Sequence, residues 1–197
     1  MTMVPSDKQI EAITQLVSLG VDHGATALNT ILNSDIDVEL PFIKLINSNE
    51  MVRHSAIVRE KLLSIVQMAF GGDLQGHCGL VFQKQNALRL IDSLDGETGN
   101  GDEFDLVSTG VYTEIGNIVL NSVMGYISNA LHLSLDYVVP YYSEGGLAGL
   151  INQNESGLLA RARFKVEHLA TEGDIVLFFE PESYAMLLSS AENFDSV

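Results

Sequence analysis

The sequence predicts a mixed α/β (α+β) fold, a pseudo-symmetric duplication of one helix-strand-strand-strand-helix unit whose copies complete one continuous sheet flanked by helices. Three observations lead there. A pattern of residue classes runs twice, from Ser18 to Pro41 (SLGVDHGATALNTILNSDIDVELP) and from Asn117 to Pro140 (NIVLNSVMGYISNALHLSLDYVVP). Each copy passes from a helical stretch into an alternating apolar segment and reaches its proline at the same spacing. Each is then followed by a hairpin pattern and a closing helix, and an acidic, glycine-rich stretch separates the two copies.

Residues 51–60 add a short helical piece to the first half. Leu62 to Phe70, a Gly-Gly-Asp turn and Gly76 to Gln83 then read as two strands of a hairpin. The second half repeats this with Leu159 to Leu169, the turn Thr171-Glu172-Gly173-Asp174, and Ile175 to Glu180. The closing helices are Asn86 to Leu94 and Pro181 to Asn193, with Pro181 suited to a first helical position. The organisation is therefore one domain over 1–197: a first repeat over about 9–94, a linker over 95–105 and a second repeat over about 106–194. Neither half is self-sufficient, because three strands and two helices alone leave a sheet edge and an apolar face open. The linker DGETGNGDEFD fails as a calcium loop, since Asn100 stands where that loop requires glycine.

Composition narrows the functional classes. With 26 acids against 10 bases, the net charge of −16 offers no cationic cluster to displace counterions, which argues against nucleic acid. The same sign disfavours adsorption to anionic membranes, and no apolar run is long enough to span one. A single cysteine, Cys78, forms no internal disulfide, so a reducing, cytoplasmic setting is expected.

The most informative stretch is residues 110–130. At 100° per residue, Ile115, Val119 and Val123 share one face, with Ile118 and Ser122 beside them. The opposite stripe carries Glu114, Asn117 and Asn121, at i, i+3 and i+7. A bare Glu-x-x-Asn pair is common on solvated helix faces. Here the matching helix of the first repeat aligns Gln15, Ser18 and Asp22 with these three, so both copies keep a polar stripe and only the second has the acid–amide pair.

Tyr112-Thr113-Glu114-Ile115-Gly116-Asn117-Ile118 resembles the signature helix of the CheC/CheX/FliY phosphatases of bacterial chemotaxis. That motif runs from Asp or Ser through Glu and Asn to a distant Pro; this sequence matches at Glu114, Asn117 and Pro140, and has Gly110 at the first position. The resemblance extends from about Ile10 to Asn193 and includes GATAL at residues 24–28, similar to the first-repeat helix of CheC. With Gln15 and Ser18 in the first copy, the chain is similar to single-site members rather than to two-site CheC.

The resemblance implies hydrolysis of the aspartyl phosphate of a CheY-like response regulator. Asn117 would position water and Glu114 would contact the regulator's lysine. No cofactor of the protein's own is implied; Mg²⁺ is expected in the partner. Asn121 reads as a neighbour of the site. A CheD-like deamidase and a homodimer are further partners the family suggests. The alternative is a non-catalytic docking module of a chemotaxis or flagellar-switch complex.

Other constellations carry less. His23, His54, His77, His132 and His168 lack metal-ligand spacing, and His77 and Cys78 point to opposite faces of a strand. Cys78 on an apolar strand reads as core. Gly71-Gly72 and Gly145-Gly146 read as turns, without the Lys-Ser/Thr of a nucleotide loop.

Overall fold

The structure, a computed structural model, describes residues 6–39, 42–47, 63–95, 106–146, 156–191 and 194. The expected helical piece at 51–60 and the linker beyond Asp95 lie outside the described residues. The element order is α1 (Asp7–Leu32), β1 (Ile36–Val38), β2 (Phe42–Asn47), β3 (Leu63–Gly72), β4 (Gly76–Gln83), α2 (Lys84–Asp95), α3 (Leu106–Ala130), β5 (Leu135–Tyr137), β6 (Tyr141–Gly145), β7 (Ser156–Val166), β8 (Thr171–Phe179) and α4 (Pro181–Ala191). One sequence of elements thus runs twice. In each run the first strand position is occupied by two short strands, separated in the second run by a non-strand interval that contains Pro140.

The long helices begin and end for local reasons. Ser6 caps α1 through a capping box: its hydroxyl accepts from the Gln9 N–H at 3.2 Å, and the Gln9 side chain accepts from the Ser6 N–H at 2.9 Å. α1 stops at Asn33, in the left-handed region at φ 48°. The turn after α3 uses the same device at His132, φ 55°, the position matching Asn33 in the repeat.

All strand pairs are antiparallel and form one eight-stranded sheet among the described residues, ordered β1-β7-β8-β4-β3-β5. β2 lies beside β1 on β7, and β6 lies beside β5 on β3. The first strand position of each repeat therefore pairs with the other repeat: Ile36 opposes Val166, and Phe70 opposes Tyr137. β4 and β8 join at the centre, with Gly79 opposite Val176.

The helices bury their apolar stripes on one face of this sheet, against Val66, Phe70, Leu80, Phe82, Phe164 and Leu177 among others. The other face is closed at its centre as well, since Ile65, Val81, Val176 and Phe178 are all buried. That explains why β8 reads as a nearly continuous apolar run rather than an alternating one.

Three expected turns move. Thr171-Glu172-Gly173-Asp174 is not a turn: the chain reverses earlier, through a 3-10 turn at Glu167–Leu169 and Ala170 at φ 47°, and Thr171 already begins β8. Gly173 is needed for close approach instead. It lies opposite both Phe82 and Phe164, and a Cβ there would stand 2.7 Å from one ring and 2.8 Å from the other. Asp174 is held in the strand by Arg161 at 2.9 Å and Arg163 at 3.5 Å; burial pushes its carboxyl up while the two guanidiniums pull it back. Gly71 and Gly72 likewise end β3, with Gly72 at φ 103° tucked against the Ser134 carbonyl, and Gly145 ends β6.

The exchanged strand positions have an immediate consequence. A fragment covering 1–105 has no β7 to receive β1 and β2, no β5 or β6 on β3, and no β8 on β4. It is expected to melt without a cooperative transition by circular dichroism or calorimetry; a sharp transition would show that the repeat folds alone.

Candidate functional site

α3 is gripped by the molecule along about half of its circumference. Its buried residues include Tyr112, Ile115, Gly116, Val119, Leu120, Val123, Met124 and Ile127, a broader face than the sequence suggests, because α3 packs on both the sheet and α1. Ile118, expected beside the apolar face, is 38% exposed. Gly24 of α1 makes the helix pair close, since a Cβ there would stand 2.6 Å from a Val123 methyl.

Two residues fix the height of α3 over the sheet. The buried Tyr112 hydroxyl points to two strand carbonyls, Ser64 at 3.1 Å and Leu80 at 3.3 Å, and its ring stands edge-on to Phe82 and Tyr142. Burial pushes that hydroxyl well above its ordinary pKa, so it remains a donor. One turn later Gly116 lies directly on Val66 of β3, where a Cβ would meet Val66 atoms at 2.4 and 2.5 Å. Neither residue was identified as functional from the sequence; a buried aromatic followed at i+4 by glycine was the available signal.

The face turned away from the sheet carries the acid–amide pair. Glu114 and Asn121 are exposed, Asn117 is half-buried, and all three share the outward stripe. The amide of Asn121 donates to Asn117 twice, to its backbone carbonyl at 2.8 Å and to its side-chain Oδ1 at 2.6 Å. Asn121 is therefore in direct contact with the candidate site. Gly110, one turn before Glu114, is exposed, and a Cβ there meets nothing within 4 Å. On α1 the matching residues repeat the pattern: Gln15 and Asp22 exposed, Ser18 half-buried.

Gly110→Ala is accordingly expected to raise stability by about 0.5–1 kcal/mol, because it removes backbone freedom from the unfolded chain and adds no contact. Denaturant unfolding measures it, and a loss of stability would contradict the open geometry.

The remaining candidates are dispersed. His23 stacks on Tyr126 at 4.5 Å, His77 stands 3.9 Å from Glu180, and His168 Nδ1 meets the Ser34 hydroxyl. Among the described residues no group of three or more His, Cys, Asp or Glu side chains is placed to hold a metal. Cys78 is fully buried, and burial raises its thiol pKa far out of the reactive range. A cleft of about 910 Å³ opens beside Asn121, lined also by His23, Tyr126 and His132. Among the described residues no helix is long and apolar enough to cross a membrane.

The duplicated α/β scaffold thus presents one acid–amide stripe on the outward face of a helix packed against the sheet and α1. No family model matches the chain. It is 28% identical over 151 residues to the CheY-P phosphatase CheC of Bacillus subtilis (strain 168), covering 75% of this chain and 71% of that one. Among solved structures, Thermotoga maritima FliY superposes with a TM-score of 0.78 at 15% identity, over 98% of this chain and 100% of that one. The FliM middle domain of H. pylori gives 0.67 at 14%, over 94% and 99%. The chain is thus similar in sequence to CheC and shares the fold of FliY and of the FliM middle domain.

Proposed function

We propose that the protein hydrolyses the aspartyl phosphate of a CheY-like response regulator, using the Glu114–Asn117 face of α3. The observation that carries this reading is the placement of both side chains on one outward stripe of a helix held firmly from behind. The likeness to a CheY-P phosphatase supports it.

The chemistry asks little of these residues. The regulator brings the acyl phosphate, its Mg²⁺ and a lysine, so charge neutralisation is already supplied. Water attacks phosphorus in line, the bond from phosphorus to the aspartyl oxygen breaks, and the carboxylate leaves with its electron pair. The water protons end on phosphate and solvent. Asn117 orients the water: a neutral amide accepts from it and donates to the phosphoryl group, where a carboxylate would repel. Glu114 pairs with the regulator's lysine and sets the docking register.

The deciding experiment is the decay of a phosphorylated CheY-like regulator with and without the protein. Acceleration is expected; an unchanged rate sinks the reading. The second reading, a non-catalytic docking module of a chemotaxis or flagellar-switch complex, draws on Gly110 and on the first-copy stripe of Gln15 and Ser18, which keeps the surface without the pair. Binding without acceleration would favour it. Association with a CheD-like deamidase and homodimer formation are part of the same proposal, and light scattering with and without such a deamidase tests both.

A further inference from the structure

The geometry points to Asn121 as a positioning residue that locks the orientation of the Asn117 amide, an inference that rests on the hydrolytic reading of that face. An asparagine side chain on a helix surface can turn its amide over, exchanging Oδ1 and Nδ2, and the two faces offer a substrate opposite hydrogen-bonding patterns. Water positioning needs one of them. Asn121 removes the ambiguity because its Nδ2 donates to two acceptors of Asn117, the backbone carbonyl at 2.8 Å and Oδ1 at 2.6 Å. The first contact fixes the Asn121 amide against the helix backbone; the second uses that fixed donor to hold Oδ1.

The Asn117 NH₂ group is then turned to the opposite side as a donor, while Oδ1 keeps its second lone pair for a water. The spacing is the ordinary i, i+4 of a helix, but the residue type is essential. A carboxylate at 121 has the same shape and can only accept, so it would draw Nδ2 inward and present the wrong edge. The first repeat has that arrangement in its sequence: Asp22 stands where Asn121 stands, and Ser18 where Asn117 stands. The amide and its clamp therefore occur together in the second copy, and both are absent from the first.

Three variants and one spectroscopic measurement test this on the full chain with a phosphorylated regulator. Asn121→Ala should lower kcat about tenfold with KM little changed. Asn121→Asp should approach the ~100-fold loss expected for Asn117→Ala, because it inverts the amide instead of merely releasing it. In the Asn117→Ala background Asn121→Ala should add nothing. A purely structural role would instead lower the melting midpoint and persist in that background.

Side-chain ¹⁵N relaxation of the Asn117 amide gives a readout independent of activity: ordered in the wild type, mobile in Asn121→Ala. Equal mobility in the two proteins overturns the inference, as does Asn121→Asp with wild-type kcat. If Asn117→Ala keeps full activity while the Asn117 amide of the wild type is ordered and is freed in Asn121→Ala, the hydrolytic assignment fails and the clamp stands. The two failures are therefore distinguishable.

Discussion

Replacing Asn117 by alanine is expected to slow protein-stimulated dephosphorylation of the regulator about 100-fold, with the regulator still bound. The magnitude follows from what the amide does. In the proposed mechanism it supplies no charge, which the regulator's Mg²⁺ and lysine provide, and it transfers no proton, so its loss forfeits only the positioning of one water. KM should change little, because docking falls to Glu114 and the surrounding helix surface. Glu114→Ala should behave oppositely, raising KM more than it lowers kcat. Single-turnover decay of the phosphorylated regulator, measured across protein concentration, separates the two. An Asn117→Ala protein as fast as the wild type would remove this residue from the chemistry.

The second large effect is on stability. Gly116→Ala is expected to cost about 2 kcal/mol despite alanine's better helix propensity. The added Cβ would lie 2.4 Å from one Val66 methyl and 2.5 Å from the Val66 Cβ, and Val66 is fully buried in β3. A β-branched side chain has one comfortable rotamer in such a site, so relief must come from lifting the helix. Lifting α3 also lengthens the Tyr112 bonds to Ser64 and Leu80, which have no water to replace them. In denaturant titration the midpoint should fall without a change in slope. Val66→Ala combined with Gly116→Ala should restore only part of the loss, since the contact at Cβ remains. Gly110→Ala, the same exchange six residues earlier on the same helix, is expected to have the opposite sign.

That pair of glycines shows where sequence reading stops. Gly110 and Gly116 look alike in a string of letters; one faces solvent and the other a sheet, and only the packing partner tells them apart. The polar stripe was legible because helical periodicity is local, and the structure places Glu114, Asn117 and Asn121 on one outward face. The width of the buried face was not, since α1 and the sheet grip α3 from two directions and neither contact is encoded within the helix.

The repeated order of elements was visible in residue classes and in the prolines. Thr171-Glu172-Gly173-Asp174 misled because its composition is that of a turn, while Gly173 is there for two phenylalanines and Asp174 for two arginines. Which strand the first segment of each repeat would choose left no trace in sequence, because pairing with β3 or with β7 satisfies the same backbone groups.

The choice it made has a consequence during synthesis. Ile36 pairs with Val166, so the earliest strands leave the ribosome well before their neighbour exists. At about 5–20 residues per second, the backbone of β1 and β2 waits roughly 6–26 s for β7 to be made. Throughout that interval the nascent chain carries an unsatisfied strand close to the helix against which α3 will later pack. The protein's most vulnerable moment is therefore set by the order of translation, and slowing the ribosome between the two repeats prolongs it.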